Sequence, residues 1–326
     1  MRRYIFTLLT TLAALAATAS NPERFTLSDP EGVNTVTISV GQDITYTVEH
    51  CGRQVLGPQR IALELGDGSV VLGRNARVTA RERRSMSETI KPQVYKRSEV
   101  KADYNELTLR CKAPAGCKGA YSIVWRAYPD GVAYRIVTAL ADDYTVRSEV
   151  AEFVPSDPDA QMVVAPIKGR TILGEENQWH SNFQNTYKHS TISQWPEDRQ
   201  IMLPALMQEG GVNLCITEVD LFNYPGMRLQ TADGKLRGVF AAYPKETKVT
   251  TRGLKKEVHA REDYIARVAG KTELPWRAIQ IVDDEKELLA SDFVMKLAKP
   301  ADPAQDWSWV KPGKVAWDWW NDWNIY

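Results

Sequence analysis

Three oxygen-bearing side chains follow one predicted strand in the second half of the chain. Residues 216–227 have the sequence ITEVDLFNYPGM, in which Glu218 and Asp220 share a face if the strand continues and Asn223 follows on a turn closed by a Pro-Gly pair. Carboxylate and amide oxygens are the ligands that Ca²⁺ prefers. The spacing is not that of an EF-hand, and a solvated acidic strand end would contain the same residues. On these residues alone, a metal site and an ordinary surface both remain open.

A second stretch combines amides with aromatic rings. Residues 177–189 have the sequence NQWHSNFQNTYKH, in which Trp179 and Tyr187 could stack on a sugar ring while the amides donate and accept hydrogen bonds. The same polar residues could instead fix the conformation of an ordinary loop. The stretch therefore supports a carbohydrate contact only as a hypothesis.

Tryptophan is concentrated at the end of the chain, which closes on GKVAWDWWNDWNIY. Four indoles fall between Trp317 and Trp323, and Trp307 and Trp309 stand just upstream, out of ten in the whole sequence. A membrane belt would need a transmembrane or amphipathic partner segment, and the sequence offers none. Sugar stacking and burial with bonded indole N–H groups both remain open. We expect a mixture, with outward indoles near the carboxyl end of a strand being functional.

Other catalytic patterns are missing from the sequence. It has no G-x-S-x-G, H-E-x-x-H or Walker-type glycine loop. A pair of carboxylates for glycoside hydrolysis cannot be chosen from spacing, because the fold brings such pairs together. The 41 basic and 41 acidic side chains cancel, which disfavours nucleic-acid binding.

The four cysteines leave their pairing open. Cys111 and Cys117 enclose a short Pro/Gly loop that a disulfide could staple, whereas small buried free thiols are the alternative. No C-x-x-C or histidine pair accompanies them, which argues against zinc.

The first twenty residues, MRRYIFTLLTTLAALAATAS, have the pattern of an export signal. Two arginines precede an apolar run that ends at a small-x-small site, Ala17-Thr18-Ala19. The run is short for a transmembrane helix, although an N-terminal anchor is the alternative. We therefore expect export, to the periplasm, with no membrane span in the mature chain.

The elements that position these residues are predicted to be strands. Apolar and polar residues alternate in TVTISV and DITYTVEH, and residues 121–140 form a clear hairpin around Pro129-Asp130-Gly131. Residues 285–300 have roughly helical spacing of apolar side chains. This organisation predicts a mainly β fold, a large antiparallel β-sandwich of two packed sheets over residues 21–299.

Five segments together resemble glycoside hydrolase family 97, the exported α-glucosidases and α-galactosidases typical of Bacteroidetes. The segments have the sequences YNELTLR, WRAYPDGVAYR, ITEVDLFNYPGM, LPWRAI and PGKVAWDWWNDWNIY. The resemblance implies a large β-sandwich followed by a (β/α)₈ barrel whose first strand is VAWDWW. The domain organisation would then be a signal peptide over residues 1–20, the sandwich over 21–299, and a linker with the first barrel strand over 300–326.

The resemblance also implies roles for individual residues. Glu218 matches the glutamate that the sandwich contributes to a Ca²⁺ site, and Asn185 lies in a stretch that borders the active site. Barrel enzymes place their sites at the carboxyl ends of strands, so Trp320 and Asn321 are further candidates for substrate binding.

The catalytic carboxylates of the family lie in the barrel, at positions beyond Tyr326. No residue of this chain is therefore expected to be catalytic, and the chain alone is expected to be inactive. Its expected partners are an oligosaccharide substrate and its own C-terminal barrel. The alternatives are a non-catalytic carbohydrate-binding β-sandwich and a purely structural sandwich whose aromatic tail is core.

Overall fold

The computed structural model describes residues 21–157, 159–172, 174–181, 183–249 and 256–315. The predicted signal peptide lies outside these ranges, as do Trp320, Asn321 and most of the predicted barrel strand. The described part of the predicted linker, residues 300–315, consists of turns and irregular backbone. The start of a barrel therefore stays a prediction.

The described residues form twenty-three strands and two short helices. They are β1 (Glu23–Ser28), β2 (Asn34–Val40), β3 (Ile44–His50), β4 (Arg53–Leu65), β5 (Val70–Leu72), β6 (Val78–Ile90), β7 (Val100–Lys112), β8 (Gly119–Tyr128), β9 (Gly131–Leu140), β10 (Tyr144–Phe153), β11 (Gln161–Pro166), β12 (Arg170–Ile172), β13 (Glu175–Asn177), β14 (Lys188–Thr191), β15 (Ile201–Glu209), β16 (Val212–Val219), β17 (Met227–Ala232), β18 (Lys235–Phe240), β19 (Pro244–Val249), β20 (Lys256–Arg261), β21 (Ala266–Val268), β22 (Lys271–Glu273), β23 (Trp276–Val282), α1 (Glu285–Ala290) and α2 (Phe293–Leu297). Every strand pairing among them is antiparallel, so the predicted mainly β, antiparallel fold is confirmed.

The alternation in the sequence produces the strands that it predicts. In β2 the side chains of Val36, Ile38 and Val40 are buried, and the residues between them are half-exposed. The β8–β9 hairpin turns at Pro129 and Asp130, as expected, and Gly131 begins β9. A Cβ there would lie 2.5 Å from the Ile279 carbonyl oxygen of β23, so only glycine permits this close approach.

Nineteen of the strands form two sheets that share β10, and the pairs β12–β13 and β19–β20 form separate two-stranded sheets. The first sheet has the order β1-β2-β3-β4-β10-β21, with β5 continuing along β4. The second has the order β6-β7-β8-β9-β23-β16-β15-β11-β14. In addition, β17 pairs with the first residue of β15, and β18 pairs with β17. The end of β10 pairs with β18, so this strand links the two sheets.

The inner faces of the two sheets share one hydrophobic core. Tyr46 of β3 packs edge-on against Trp125 of β8 and Tyr134 of β9, with ring centroids 4.7 and 5.5 Å away. Edge-to-face contacts of this kind are favourable beyond the area that they bury. Because strands of both sheets contribute to this cluster, the predicted sandwich is confirmed.

The predicted amphipathic segment near residue 290 forms two helices rather than one. Ser291 and Asp292 separate α1 from α2. Phe293 and Leu297 are buried against the outer face of the second sheet, whereas Leu289 is 85% exposed. Within the described ranges, no helix is long and apolar enough to cross a membrane.

Candidate functional site

Glu218 lies near the end of β16, and its carboxylate is held by donors from β23 and β17. It lies directly opposite Arg277 of β23, and cross-strand partners project from the same face of a sheet. The Arg277 Nη1 group donates to Glu218 Oε2 at 2.8 Å. The backbone N–H of Met227, at the start of β17, donates to Oε1 at 3.0 Å and to Oε2 at 3.1 Å. Two fixed donors therefore define the orientation of this carboxylate.

Arg277 is itself fixed by a second carboxylate. Its Nε and Nη2 groups donate to Oε1 and Oε2 of Glu149 on β10, at 2.7 and 2.8 Å. This forked, two-bond geometry is the strongest and most directional that an arginine makes. The hydroxyl of Tyr224 donates to Glu149 Oε2 at 2.8 Å, and the Phe240 ring lies 5.0 Å from the guanidinium carbon. We refer to Glu149, Glu218, Tyr224 and Arg277 as the Arg277 cluster.

The Arg277 cluster holds two carboxylates but one cation. Among the described residues, Arg277 is the only cationic side chain within ion-pair distance of Glu149 or Glu218. The side chains of Arg277 and Glu149 are 1% and 4% exposed, whereas that of Glu218 is 14% exposed. With both acids ionised, the cluster has one negative charge in excess, and Glu218 is its outermost acid.

The pKa values follow from this arrangement. Burial raises the pKa of the Glu218 carboxyl above its usual range, and the Arg277 guanidinium and Met227 N–H offset only part of that effect. Burial alone would lower the pKa of Arg277, but the carboxylates of Glu149 and Glu218 raise it well above its usual range. Arg277 is therefore permanently charged, and the excess negative charge raises the free energy of the cluster.

Glu218 can serve as one ligand of a cation but not as a whole site. Among the described residues, the Glu218 Oε1 atom accepts a single hydrogen bond, which leaves one of the roughly two lone pairs of a carboxylate oxygen available. Gly226 leaves room beside that atom, since a Cβ there would lie 3.4 Å from Oε1. Within the described part of the chain, no group of three His, Cys, Asp or Glu side chains could hold a metal. A Ca²⁺ ion takes about 6–8 oxygen ligands, so the others must come from elsewhere.

The structure does not gather Asp220 and Asn223 beside Glu218 as one strand face. β16 ends at Val219, and Asp220 and Asn223 adopt positive φ angles of 60° and 50°. The backbone N–H of Lys299 donates to Asp220 Oδ1 at 2.9 Å. The assumed continuation of the strand is thus wrong, because the left-handed turn at Asp220 ends it.

Asn185 lies half-buried in irregular backbone just before β14. The loop that contains it is anchored by Arg228, whose guanidinium carbon is 4.8 Å from the Trp179 ring and 5.5 Å from the Phe183 ring. Arg228 directly follows Met227, whose N–H binds Glu218, so the loop adjoins the strand that holds the cluster. One face of Trp179 is therefore occupied by protein, and the role of Asn185 in substrate binding stays a prediction.

All four cysteines are free thiols in the structure, so it does not contain the predicted Cys111–Cys117 disulfide. Cys111 lies opposite Tyr121 in the strand register and is buried in the hydrophobic core, against which the half-buried Cys117 also packs. Burial raises the pKa of the Cys111 thiol to about 11.

Sequence reasoning did not identify Glu149, Tyr224 and Arg277 as members of a site. Arg277 was detectable, because it is a charged residue in a mostly apolar strand. Every residue of this strand, β23, is buried, and a buried charge requires a partner. Its partner was not detectable, since Glu149 is 128 residues away in the chain.

Comparison with known proteins agrees with the fold. The family described as "Glycosyl-hydrolase 97 N-terminal" matches residues 27–300. A retaining alpha-galactosidase of Bacteroides thetaiotaomicron is 38% identical over all of this chain and 48% of its own length. A probable retaining alpha-galactosidase of Streptomyces bingchenggensis is 26% identical over 85% of this chain and 37% of its own length. The chain thus spans half or less of the curated relatives that it matches.

Solved structures show the same architecture. A glycoside hydrolase family 97 enzyme from Pseudoalteromonas sp. strain K8, in complex with acarbose, superposes with a TM-score of 0.73 at 20% identity over 89% of this chain and 40% of that one. A beta-arabinopyranosidase superposes with a TM-score of 0.62 at 17% identity over 79% of this chain and 40% of its own. At these identities the likeness shows the fold alone. The family match over residues 27–300, together with the sandwich that those residues form, shows that this chain belongs to glycoside hydrolase family 97.

Proposed function

We propose that this chain is the amino-terminal part of an exported, calcium-dependent α-glycoside hydrolase that acts on oligosaccharides. The observation that carries the proposal is the 38% identity, along the whole chain, to a retaining alpha-galactosidase. The acarbose-binding relative is only 20% identical. α-Galactosides are therefore the favoured substrates, with α-glucosides as the second candidate.

In this proposal Glu218 donates one Ca²⁺ ligand from the sandwich. The excess negative charge of the Arg277 cluster and the free lone pair of Glu218 Oε1 support the assignment. A bound Ca²⁺ would supply the positive charge that polarises the glycosidic oxygen or positions the general acid. The protein's own contribution is to orient the Glu218 carboxylate by means of Arg277 and Met227.

The bond-breaking carboxylates are proposed to lie beyond Tyr326, in a barrel that begins with the tryptophan-rich tail. Asn185, Trp320 and Asn321 are proposed substrate contacts near that barrel. Retention of the anomeric configuration would require two carboxyl groups about 5–5.5 Å apart, whereas inversion would require a separation of about 6.5–9.5 Å. The name of the 38% identical relative favours retention.

The test is to express the complete reading frame that contains this chain and to assay p-nitrophenyl α-galactoside and α-glucoside. We expect hydrolysis that EDTA abolishes and Ca²⁺ restores, with the anomer of the first product read by proton NMR. A protein ending at Tyr326 should release no nitrophenol above the blank. If the complete protein binds glycans but hydrolyses neither substrate, it is a carbohydrate-binding sandwich and the enzyme proposal fails.

The ligand role of Glu218 has its own test in the same protein. Glu218→Gln keeps the size of the side chain but removes its charge, and should abolish the Ca²⁺ dependence of hydrolysis. Glu152→Gln is the control, because Glu152 is an ion-paired glutamate on β10, more deeply buried than Glu218, that does not contact Glu218. An unchanged response to Ca²⁺ in Glu218→Gln would remove the assignment.

A further inference from the structure

We propose that Arg277, Glu149 and Tyr224 act as a positioning unit that fixes Glu218 for a divalent cation and sets the affinity of the protein for it. The inference rests on the proposed role of Glu218 as a ligand. It adds that three residues which do not touch the cation determine how well Glu218 binds it. Residues that orient metal ligands typically change metal affinity about 10–100-fold when they are replaced.

The unit determines which oxygen of Glu218 is presented. Oε2 accepts from both Arg277 Nη1 and Met227 N, at 2.8 and 3.1 Å. From the described part of the chain, Oε1 accepts only from Met227 N, at 3.0 Å. Because Arg277 engages Oε2, the oxygen left with a free lone pair is Oε1, the atom beside Gly226.

Arg277 can hold Glu218 because its own position is fixed. The residue is 1% exposed, and its β23 backbone pairs with β16 on one side and β9 on the other. Glu149 engages its remaining donor edge through two bonds, and the Phe240 ring covers the guanidinium plane. The position of Glu218 is thus fixed, through Arg277 and Glu149, relative to β10, the strand that links the two sheets.

Tyr224 connects Glu149 to the loop that follows Glu218. Its hydroxyl donates to Glu149 Oε2, and its ring is half-buried beside Phe240, with centroids 6.1 Å apart. Tyr224 lies two residues before Gly226, where an added Cβ would lie 3.4 Å from Oε1. The carboxylate and the backbone beside its free oxygen are therefore positioned by one buried acid.

A different interpretation is that the Arg277 cluster only stabilises the fold, as many buried ion pairs do. The two interpretations differ in one measurable quantity, the affinity for Ca²⁺. A structural pair changes the stability of the metal-free protein but leaves a correctly folded Glu218 with its normal affinity. A positioning unit changes the affinity even in variants that fold fully.

The experiment is calorimetric titration of EDTA-treated, complete protein with CaCl₂. Tyr224→Phe removes one hydroxyl and keeps the ring, and should raise the Ca²⁺ dissociation constant about 10-fold; Arg277→Lys, which cannot make the forked contact, should raise it about 10–100-fold. Gly226→Ala should also weaken binding, because its methyl group would contact Oε1. Melting of each metal-free variant shows whether it is folded.

Matched controls come from the other buried glutamate of β10. Arg60→Lys and Tyr46→Phe alter contacts to Glu152 and its backbone, and both should leave the Ca²⁺ dissociation constant within about twofold of the wild-type value. If folded Tyr224→Phe binds Ca²⁺ as the wild type does, the positioning inference is overturned, even if Arg277→Lys fails to fold.

Glu218→Gln separates this inference from the proposal on which it rests. If that variant binds Ca²⁺ normally, the ligand assignment is wrong, and the positioning role falls with it. If it loses binding while Tyr224→Phe and Arg277→Lys retain it, only the positioning inference is overturned. A wild-type protein that does not bind Ca²⁺ overturns both.

Discussion

Two buried glutamates on β10 have opposite electrostatic surroundings. Glu152 is 1% exposed and lies within ion-pair distance of three cations, with Arg60 at 3.3 Å, Lys235 at 3.7 Å and Arg237 at 4.0 Å. Glu149, three residues earlier, has one cation, Arg277, and shares it with Glu218. Glu152 therefore has more cations around it than are needed to compensate its charge, whereas Glu149 and Glu218 share one cation between two carboxylates.

The difference separates a structural ion pair from a candidate binding site. A buried carboxylate is costly unless cations and donors compensate its charge. The contacts of Glu152 achieve that within the described chain, so no further partner is required. The Arg277 cluster is left with one negative charge, and its outermost member is the glutamate that we propose as a calcium ligand. The position of the uncompensated charge, rather than the number of acids, identifies the site.

The largest expected effect comes from removing the central cation on each side of the comparison. Arg277→Met would leave two buried carboxylates without their cation and should lower the free energy of unfolding by about 3–5 kcal/mol. Arg60→Met should lower it by only about 1 kcal/mol, because Arg60 is 44% exposed and Glu152 keeps Lys235 and Arg237. Urea unfolding of metal-free protein measures both, and equal losses would remove the asymmetry.

A smaller effect is expected from the two tyrosine hydroxyls. The Tyr224 hydroxyl donates to the charged Glu149 at 2.8 Å, so Tyr224→Phe should cost about 1.5–3 kcal/mol of stability in the metal-free protein. The Tyr46 hydroxyl donates to the Glu152 backbone oxygen at 3.4 Å, so Tyr46→Phe should cost about 0.5–1 kcal/mol. Thermal melts of both variants test the order, and a larger loss in Tyr46→Phe would reverse it.

The smallest expected effect concerns the cysteines, none of which forms a disulfide that would support the core. Without reductant, iodoacetamide at pH 8 should label the exposed Cys51 in the folded protein and leave Cys111 unmodified, since burial raises the pKa of the Cys111 thiol to about 11. In urea all four cysteines should react. Mass spectrometry gives the count, and resistance of Cys111 and Cys117 in urea would establish the disulfide that the structure lacks.

The sequence predicted the sandwich well because its signal is local. Alternation of apolar and polar residues along β2 and β3 specifies which side chains enter the core, whatever the rest of the chain does. Local patterns failed to predict where an element ends when the backbone changes direction at a single residue. The left-handed Asp220 ends β16, and the break at Ser291 divides the predicted helix in two.

The site was predictable only in part because its contacts are distant in sequence. Glu218 was identified through the resemblance of its segment to a family, whereas its acidic spacing alone was ambiguous. The partnership of Glu149 with Arg277 joins residues 128 positions apart and depends on β10 linking both sheets. No spacing rule encodes that contact, so the charge imbalance became visible only in the folded chain.

Glu218 belongs to the cluster that has fewer cations than acids, and we propose that it provides a calcium ligand there. The most direct measurement is the Ca²⁺-induced rise in melting temperature of the complete protein, compared among wild type, Glu218→Gln and Glu152→Gln. Ligand binding to the native state stabilises it by RT ln(1 + c/Kd), where c is the free Ca²⁺ concentration, which is about 2.7 kcal/mol when c is about one hundred times the dissociation constant. We predict a rise in the wild type and Glu152→Gln and none in Glu218→Gln. An equal rise in Glu218→Gln and wild type would contradict the account.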